Sequence, residues 1–243
     1  MKDCHSHLLY GIDDGSKSLE ESISLLKEME KAGTKELILT PHYVENSKYN
    51  CNNTNKMKLF KTLQKEAKEN NIDIKLYLGN EVFFTANFIE LIKKKEIRTL
   101  NNTKYLLFEF PMSQVYFHTG LEVCHDLIGR GFVPILAHPE RYPDFQKNPK
   151  ALEEFVKAGI LMQGNFTSLF RKYGRVPQKT LKYFLKRKWI TLLGSDTHHE
   201  VKYSREKLEK KLLRITKDKE YVDALLGNNF DKVIQNEDIG MIR

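Results

Sequence analysis

Histidines and carboxylates are concentrated near the start of the chain, in the stretch DCHSHLLYGIDDGS that covers residues 3–16. His5 and His7 are two residues apart, so in an extended segment their side chains point to the same side. Asp13 and Asp14 add two carboxylates in the loop that follows. Imidazole nitrogens and carboxylate oxygens are ligands for divalent cations. The spacing therefore suggests a metal site, which other parts of the chain would have to complete.

Further metal-capable side chains occur at the ends of short apolar runs. They are His42 in LTPHY, Glu81 in LGNE, Glu109 in LFEF, His138 in ILAHPERY, and Asp196, His198 and His199 in LLGSDTHH. Arg141, a cation, follows His138 in ILAHPERY. A carboxylate next to an apolar run would be costly to bury without a partner, and one nearby cation removes that cost. The ligands include no thiolate, which favours manganese, iron, zinc or magnesium. Their number suits two or three ions bridged by carboxylates, an arrangement that can neutralise a phosphoryl group.

The apolar runs before these residues have the length of buried strands and alternate with segments of helical periodicity. This alternation predicts an α/β fold with a mostly parallel sheet and crossover helices, and the number of strands suits a barrel. In a barrel the carboxyl ends of the strands form one face, where the polar residues would meet. We predict strands at 2–5, 36–40, 74–79, 104–109, 132–137, 160–164 and 189–194.

The first predicted helix has clear signals at both ends. Ser18 and Glu21 form a capping box, and Gly33 occupies the position after the carboxyl end. Gly131, Gly159 and Gly227 mark the ends of three later helices. No linker or internal repeat is visible, so we expect a single domain over 1–243. The later helices are predicted at 54–70, 85–94, 118–129, 150–158, 177–187, 203–214 and 218–227.

Composition excludes several classes of protein. With 40% apolar and 30% charged residues, the chain is not a disordered one. No apolar run approaches the roughly 18 residues of a membrane span, and the amino terminus lacks the apolar region of a signal peptide. The scattered Cys4, Cys51 and Cys124 do not suggest disulfides, so we expect a cytoplasmic protein without membrane insertion. The net charge of +8 is compatible with an anionic partner or with solvated lysine-rich helix faces.

In combination, these motifs resemble those of the polymerase-and-histidinol-phosphatase (PHP) superfamily, from residue 1 to about 235. GIDDGSKSLEES and AHPERY are most similar to the bacterial capsule-type protein tyrosine phosphatases. The resemblance implies a distorted seven-stranded βα barrel of the TIM-like PHP type and a trinuclear site, often with manganese. By position, it assigns His5, His7, Glu81 and Asp196 to one ion, Glu81 as a bridge with Glu109 and His138 to a second, and Asp14, His42 and His198 to a third.

The resemblance implies a metal-dependent phosphomonoesterase. A metal-bound hydroxide would attack phosphorus in line, and Arg141 would clamp the phosphate. Arg205 is a second candidate clamp, and Asp14, in place of a third early histidine, favours the tyrosine phosphatase branch. The substrate implied is the phosphotyrosine tail of a bacterial tyrosine kinase that controls capsule or exopolysaccharide synthesis. His199 has no counterpart and is expected to be a loop residue.

Several alternatives stay open. The segment CHDLIGR, 124–130, matches the C-x5-R loop of cysteine-dependent phosphatases, but Cys124 falls inside a predicted helix. Within the superfamily, the substrate is alternatively histidinol phosphate or a nucleotide. A nucleic-acid-associated module without catalysis is a further alternative, although the basic residues are dispersed and no binding motif is visible. Aromatic residues after the strand ends could wall a site for a phenyl ring or simply pack there: Phe83, Phe84, Tyr116 and Phe117.

Overall fold

Strands and helices alternate along the chain in a computed structural model that describes residues 1–240. The strands are β1 (Lys2–Asp3), β2 (Glu36–Leu39), β3 (His42–Tyr43), β4 (Lys75–Leu78), β5 (Glu81–Phe83), β6 (Tyr105–Glu109), β7 (Val133–Ala137), β8 (Leu161–Asn165) and β9 (Leu192–Gly194). The α-helices are α1 (Leu19–Lys31), α2 (Asn53–Glu69), α3 (Phe88–Lys93), α4 (Phe117–Gly129), α5 (Pro143–Lys147), α6 (Leu152–Lys157), α7 (Arg175–Lys186), α8 (Arg205–Thr216), α9 (Lys219–Asp223) and α10 (Asn229–Gln235).

The strands form two parallel sheets, in the orders β1-β2-β4 and β3-β5-β6-β7-β8-β9. The predicted α/β class with parallel strands is confirmed, and each predicted strand segment contains a strand. Two of these strands are followed by a second short strand that the sequence did not predict: Thr40 and Pro41 separate β2 from β3, and Gly79 and Asn80 separate β4 from β5. Pro41 has no N–H to donate to a neighbouring strand, which accounts for the first break.

Backbone hydrogen bonds also join the segment after β1 to the segment around β9. The Cys4 N–H donates to the Leu193 carbonyl at 3.3 Å, and the Asp196 N–H donates to the His5 carbonyl at 2.9 Å. Ser6 and Thr197 form an isolated parallel bridge between the same segments. The first and last strand regions in the sequence are therefore neighbours, and they bring the amino-terminal histidines beside Asp196.

An apolar cluster lies on the side of the strands that carries the polar residues. Its strand members include Ile38, Tyr77, Leu107, Ile135 and Leu192. Because side chains alternate along a strand, Glu109 is on the same side of β6 as Leu107, two residues further on. The apolar cluster therefore lies closer to the amino ends of the strands, and the polar side chains occupy their carboxyl ends.

The helices follow the predicted signals closely near the amino terminus and less closely near the carboxyl terminus. The Ser18 hydroxyl caps α1 by accepting from the Glu21 N–H, and Gly33 has a positive φ of 97°. The prediction that Gly227 ends a helix is wrong. The chain continues through a π-helical turn at Ala224–Asn228 into α10, where Phe230 and Val233 are buried. No helix within residues 1–240 is both long and apolar enough to cross a membrane.

Candidate metal centre

The candidate ligands gather where the carboxyl ends of the strands meet. His5 and His7 follow β1, His42 and Glu81 begin β3 and β5, Glu109 ends β6, His138 follows β7, and Asp196 and His198 follow β9. His42 is paired in register with Glu81, so their side chains are on the same side of the sheet. Parallel strands deliver side chains from distant parts of the sequence to one edge, which is how this set comes together.

Three imidazoles converge on one oxygen of Glu81. Its Oε2 atom lies 3.2 Å from His5 Nε2, 3.3 Å from His7 Nε2 and 3.1 Å from His42 Nδ1. Despite these short distances, this buried Oε2 has no hydrogen-bond partner among residues 1–240. A fourth imidazole, that of His138, places Nε2 2.9 Å from the other carboxylate oxygen. Nitrogen and oxygen atoms that converge without hydrogen bonding fit a shared cation, because a cation binds their lone pairs directly.

The donor atoms form three overlapping groups. Within each group, all donor atoms lie within 4.8 Å of one another. The Nε2 atoms of His5 and His7 are 3.1 Å apart, a separation at which two lone pairs repel unless a proton or a metal ion lies between them. This donor set fits divalent cations that accept nitrogen and oxygen ligands. The three groups are His5, His7 and Glu81; His42, Glu81 and Glu109; and His7, Asp14, His42 and His198.

Asp196 joins the first and third groups. Its Oδ1 atom lies 3.4 Å from His7 Nε2 and 3.4 Å from His198 Nδ1. Its Oδ2 atom accepts hydrogen bonds from Arg141 Nη1 at 2.7 Å and from the Tyr173 hydroxyl at 3.0 Å. Oδ1 thus faces the histidines, while hydrogen bonds from Arg141 and Tyr173 fix the position of Oδ2. The Arg141 guanidinium, stacked 4.4 Å from the Tyr173 ring centroid, lies at the margin of the cluster.

Electrostatics in the cluster favour bound cations. Burial opposes protonation of His7, yet Asp13, Asp196 and Glu81 outweigh it and hold the pKa of this imidazole well above its usual value. Burial likewise disfavours ionised Glu81, but the surrounding histidines hold its pKa well below the usual range. These opposite shifts favour positively charged histidines around a negatively charged carboxylate. A metal ion must displace the imidazole protons, so we expect metal uptake to weaken as pH falls.

A second layer of polar residues orients the histidines. His7 Nδ1 lies 2.8 Å from Asp13 Oδ2, and His5 Nδ1 lies 2.7 Å from Gln163 Oε1. Gln163 Nε2 donates to Asn165 Oδ1 at 2.9 Å, and Asn165 Nδ2 donates to Asp196 at 2.8 Å. Each outer nitrogen is therefore occupied, which directs the Nε2 atoms of both histidines inward.

The sequence analysis missed Gln163 and Asn165. It assigned no functional residue to the strand at 160–164, the one strand that supplies no candidate ligand. The available signal was the alternation of Gln163 and Asn165 in LMQGN, a strand whose last four residues are buried. Two polar side chains on one side of a buried strand require partners, and here the partners are a histidine and a carboxylate.

Backbone geometry at two places allows the close approach of the histidines. A Cβ atom on Gly194 would lie 2.4 Å from His5 Cβ, and one on Gly15 would lie 2.6 Å from His7 Cβ. Only glycine fits at these positions without displacing a histidine. His138 and Asp196 themselves adopt positive φ values of 36° and 51°. Left-handed backbone at non-glycine residues is a form of strain that occurs at functional sites.

Three predicted or alternative residues are not part of the cluster. Arg205 begins α8, and its N–H donates to the Ala32 carbonyl beside Gly33, before the amino end of β2. The prediction that Arg205 clamps the phosphate is therefore wrong, because the candidate ligands lie at the opposite, carboxyl ends of the strands. His199 pairs with Glu21 at 3.0 Å outside the cluster, as a loop residue does.

Cys124 is also excluded from a catalytic role by its surroundings. It is fully buried within α4, and burial raises the pKa of its thiol to about 12. The arginine of the same motif, Arg130, is exposed and pairs with Asp126 at 3.0 Å. A cysteine nucleophile needs an accessible thiolate beside cationic or backbone donors, and this segment supplies neither. The prediction that Cys124 falls inside a helix is confirmed, and this segment does not form a phosphate-binding loop.

The fold and the cluster define a class: α/β proteins that carry a group of histidines and carboxylates at the carboxyl edge of parallel strands. Comparison with known proteins then identifies the family. Residues 1–235 match the model of the family described as "Capsular polysaccharide synthesis, CpsB/CapC", and the chain belongs to that family.

Relatives and solved structures agree with this assignment. The chain is 32% identical over 242 residues to the putative tyrosine-protein phosphatase CapC of Staphylococcus aureus, covering 98% of this chain and 93% of the relative. It is 32% identical over 206 residues to the tyrosine-protein phosphatase CpsB of Streptococcus pneumoniae, covering 82% and 83% of the two chains.

A solved structure from work on YwqE of Bacillus subtilis and CpsB of Streptococcus pneumoniae, described as unique metal-dependent tyrosine phosphatases, superposes with a TM-score of 0.91. It is 25% identical and covers 98% of this chain and 96% of its own. Histidinol phosphate phosphatase of Lactococcus lactis, at 15% identity and a TM-score of 0.57, shares the fold; the match covers 89% of this chain and 93% of that one.

Proposed function

We propose that this protein is a phosphomonoesterase that hydrolyses phosphotyrosine in a site of two or three divalent cations, with manganese as the expected metal. The observation that carries the proposal is the buried Glu81 carboxylate, on which four imidazoles converge and whose Oε2 atom has no hydrogen-bond partner in residues 1–240. The names of the relatives, tyrosine-protein phosphatases, and the structural match to metal-dependent tyrosine phosphatases support the same activity.

We propose the ligand assignment that the family resemblance implies. The groups of donor atoms support most of it, and His138 and Asp196, which lie outside those groups, are supported by their contacts with Glu81 and with His7. Glu81 is the expected bridge, because its two oxygens face different histidines. The cations would supply Lewis acidity, which lowers the pKa of water and neutralises phosphate oxygens. The proposed ligands are His5, His7, Glu81 and Asp196 for one ion, Glu81, Glu109 and His138 for a second, and Asp14, His42 and His198 for a third.

The residues around the cations would bind and orient the substrate. Arg141 has one nitrogen on Asp196, and its remaining N–H groups can bind phosphate oxygens in a fork. Asp14 is a half-exposed carboxylate near the imidazoles of His42 and His198, at the mouth of the cluster. A tyrosine leaving group has a pKa near ~10, so its departure needs less help from an acid than that of an alkyl alkoxide.

We propose the phosphotyrosine tail of a bacterial tyrosine kinase of capsule or exopolysaccharide synthesis as the physiological substrate, and the cytoplasm as the place of action. The family description supports the link to capsular polysaccharide synthesis. The net charge of +8 suits an anionic substrate. Co-purification of the protein with such a kinase, dependent on phosphorylation of its tail, would test this part of the proposal.

We also propose that the strands make up one distorted seven-stranded barrel within a single domain over 1–243. The support is that only two residues separate β2 from β3 and β4 from β5, and that hydrogen bonds join the segments at 4–7 and 193–197. The contact of Lys2 with Asp231 joins the two ends of the chain. Unfolding of the whole chain in one transition, with no smaller fragment resistant to proteolysis, would support a single domain.

The test is hydrolysis of a phosphotyrosine peptide by protein stripped with a chelator and then reloaded with manganese, zinc or magnesium. We expect activity only with metal, and most with manganese. His138→Ala should abolish turnover without unfolding the protein, whereas Cys124→Ser should retain turnover. Activity in stripped protein, or loss with Cys124→Ser alone, would refute the metal mechanism. Faster hydrolysis of histidinol phosphate or a nucleotide than of the peptide would refute the substrate and retain the chemistry.

A further inference from the structure

One aromatic side chain stands on the same side of its strand as the candidate ligands. Phe83 ends β5, two residues after Glu81, so strand alternation directs both side chains to one side of the sheet. Phe83 is also paired in register with Glu109, which directs that carboxylate to the same side. On this side of β5, Phe83 is therefore the next side chain after Glu81 toward the carboxyl end of the strand, away from the apolar cluster.

The packing of Phe83 differs from that of its neighbour. Phe84, on the other side of the strand, packs against Phe88 at a ring-centroid distance of 5.9 Å and against Phe110 at 4.8 Å. Phe83 is half-buried and, within residues 1–240, belongs to none of the three apolar clusters and to none of the aromatic pairs. Core packing therefore explains Phe84 and leaves Phe83 unexplained.

A second aromatic ring adjoins the same carboxylates. Tyr49 stacks on His42, with ring centroids 6.2 Å apart and an interplanar angle of 25°. His42 in turn lies within 3.2 Å of both Glu81 and Glu109. Tyr49 is half-buried, so part of its ring is open to solvent or to a ligand. Phe83 and Tyr49 thus adjoin one group of donors, Phe83 through its register with Glu109 and Tyr49 through His42.

We propose that Phe83 and Tyr49 are specificity-determining residues that receive the aromatic ring of the substrate when its phosphate lies at the cluster. This inference rests on the proposed phosphatase function and adds the reason for selecting an aryl ester. A flat apolar ring gains from offset or edge-to-face contact with other rings, whereas a serine or glycerol ester offers no surface for such contact.

The test measures binding, so that it does not depend on turnover. Manganese-loaded protein is titrated calorimetrically with phenylphosphonate and with methylphosphonate, which share the anionic group and differ in the ring. We expect the wild-type protein to bind phenylphosphonate more tightly. Phe83→Ala should weaken phenylphosphonate binding about tenfold, which corresponds to about 1.4 kcal/mol, and leave methylphosphonate binding unchanged. Tyr49→Ala should show a smaller loss in the same direction.

The matched control is Tyr116→Ala. Tyr116 is an exposed aromatic residue in the same region, but it packs 5.8 Å from Phe84, on the other side of the strand. Tyr116→Ala should leave the affinities for phenylphosphonate and for methylphosphonate unchanged. Phe83→Leu keeps apolar bulk without the ring and serves if Phe83→Ala unfolds, which thermal melting and manganese content will show.

Two results would overturn the assignment: equal effects of Phe83→Ala on the two phosphonates, or the same selective loss in Tyr116→Ala. Hydrolysis of a phosphotyrosine peptide is measured in parallel. If the wild-type protein prefers phenylphosphonate but fails to hydrolyse the peptide with any metal, the proposed function fails while the ring site stands. If it hydrolyses the peptide and Phe83→Ala loses no preference for the phenyl group, the ring site alone fails.

Discussion

Gln163→Met removes the residue that orients His5 while nearly preserving side-chain volume. Gln163 is fully buried, its Oε1 atom accepts from His5 Nδ1 at 2.7 Å, and its Nε2 atom donates to Asn165 Oδ1 at 2.9 Å. Methionine has a similar length but supplies neither polar atom. The His5 ring would then be free to turn, and its outer nitrogen would be left without a partner in a buried environment.

The magnitude follows from these contacts. Leaving the buried nitrogen of His5 and the buried amide oxygen of Asn165 unpaired should lower the free energy of unfolding by about 1–3 kcal/mol. Loss of the group that orients a metal-ligating histidine should lower metal affinity by about 10- to 100-fold. The loss of stability is expected wherever a buried glutamine is replaced. The loss of metal affinity is expected only at Gln163, because only there does the glutamine orient a candidate ligand.

Gln178→Met is therefore the matched control. Gln178 is nearly buried in α7 and donates to the Leu169 carbonyl at 2.6 Å, away from the cluster. Manganese affinity is measured by calorimetric titration of stripped protein, and stability by urea unfolding of the same samples. Both variants should lose stability, but only Gln163→Met should lose affinity. Equal manganese affinity in Gln163→Met and the wild-type protein would refute the orienting role, and equal losses in both variants would reduce it to general destabilisation.

Three other predictions concern single residues. Arg141→Lys keeps the positive charge but loses the planar fork, so kcat/KM for a phosphotyrosine peptide should fall about 10- to 100-fold with metal content unchanged; an unaltered kcat/KM would exclude the clamp. Gly194→Ala should displace His5 and lower both metal content and stability, whereas Gly129→Ala, whose added Cβ would meet nothing within 4 Å, should do neither. Burial lowers the pKa of Lys56 to about 7, so the unfolded chain binds an extra proton between pH 7 and about 10. As the pH rises through that range, the unfolding free energy of the wild-type protein should therefore increase by about 1.4 kcal/mol per pH unit relative to that of Lys56→Met. Urea unfolding at several pH values measures this difference. A difference that does not change with pH would contradict the lowered pKa.

Much of the fold was predictable because its signals are local. The longer strands lie in short apolar runs, and α1 begins after Ser18 and ends before Gly33, residues that favour those positions by side-chain capping and by backbone freedom. The extension beyond Gly227 was not predictable in this way. Glycine weakens a helix, but the burial of Phe230 and Val233 in tertiary contacts outweighs that local preference.

The candidate ligands could be selected from the sequence, but the polar residues that orient them could not. Histidines and acids at strand ends are conspicuous because they interrupt apolar runs. Gln163 and Asn165 carry no charge, and their importance depends on which strand lies next to β8. The pairing of β8 with β9 brings Asn165 beside Gly194, and hence beside Asp196, a proximity that no spacing in the sequence encodes. The prediction for Arg205 was wrong for the complementary reason. Its charge was evident in the sequence, but its position near the amino end of β2 was not.

Strain and unsatisfied polarity in the cluster have a common explanation in cation binding. His138 and Asp196 adopt left-handed backbone, and the Glu81 Oε2 atom is buried without a hydrogen bond in residues 1–240. Each feature costs free energy in the protein alone. Gly15 and Gly194 leave room for His7 and His5, because a Cβ atom at either position would clash with the Cβ atom of the histidine. A fold selected for stability alone would relieve these costs with smaller or apolar side chains. Their concentration at one strand edge indicates that binding a multivalent cation offsets them, so metal binding should stabilise this region more than any other part of the described chain.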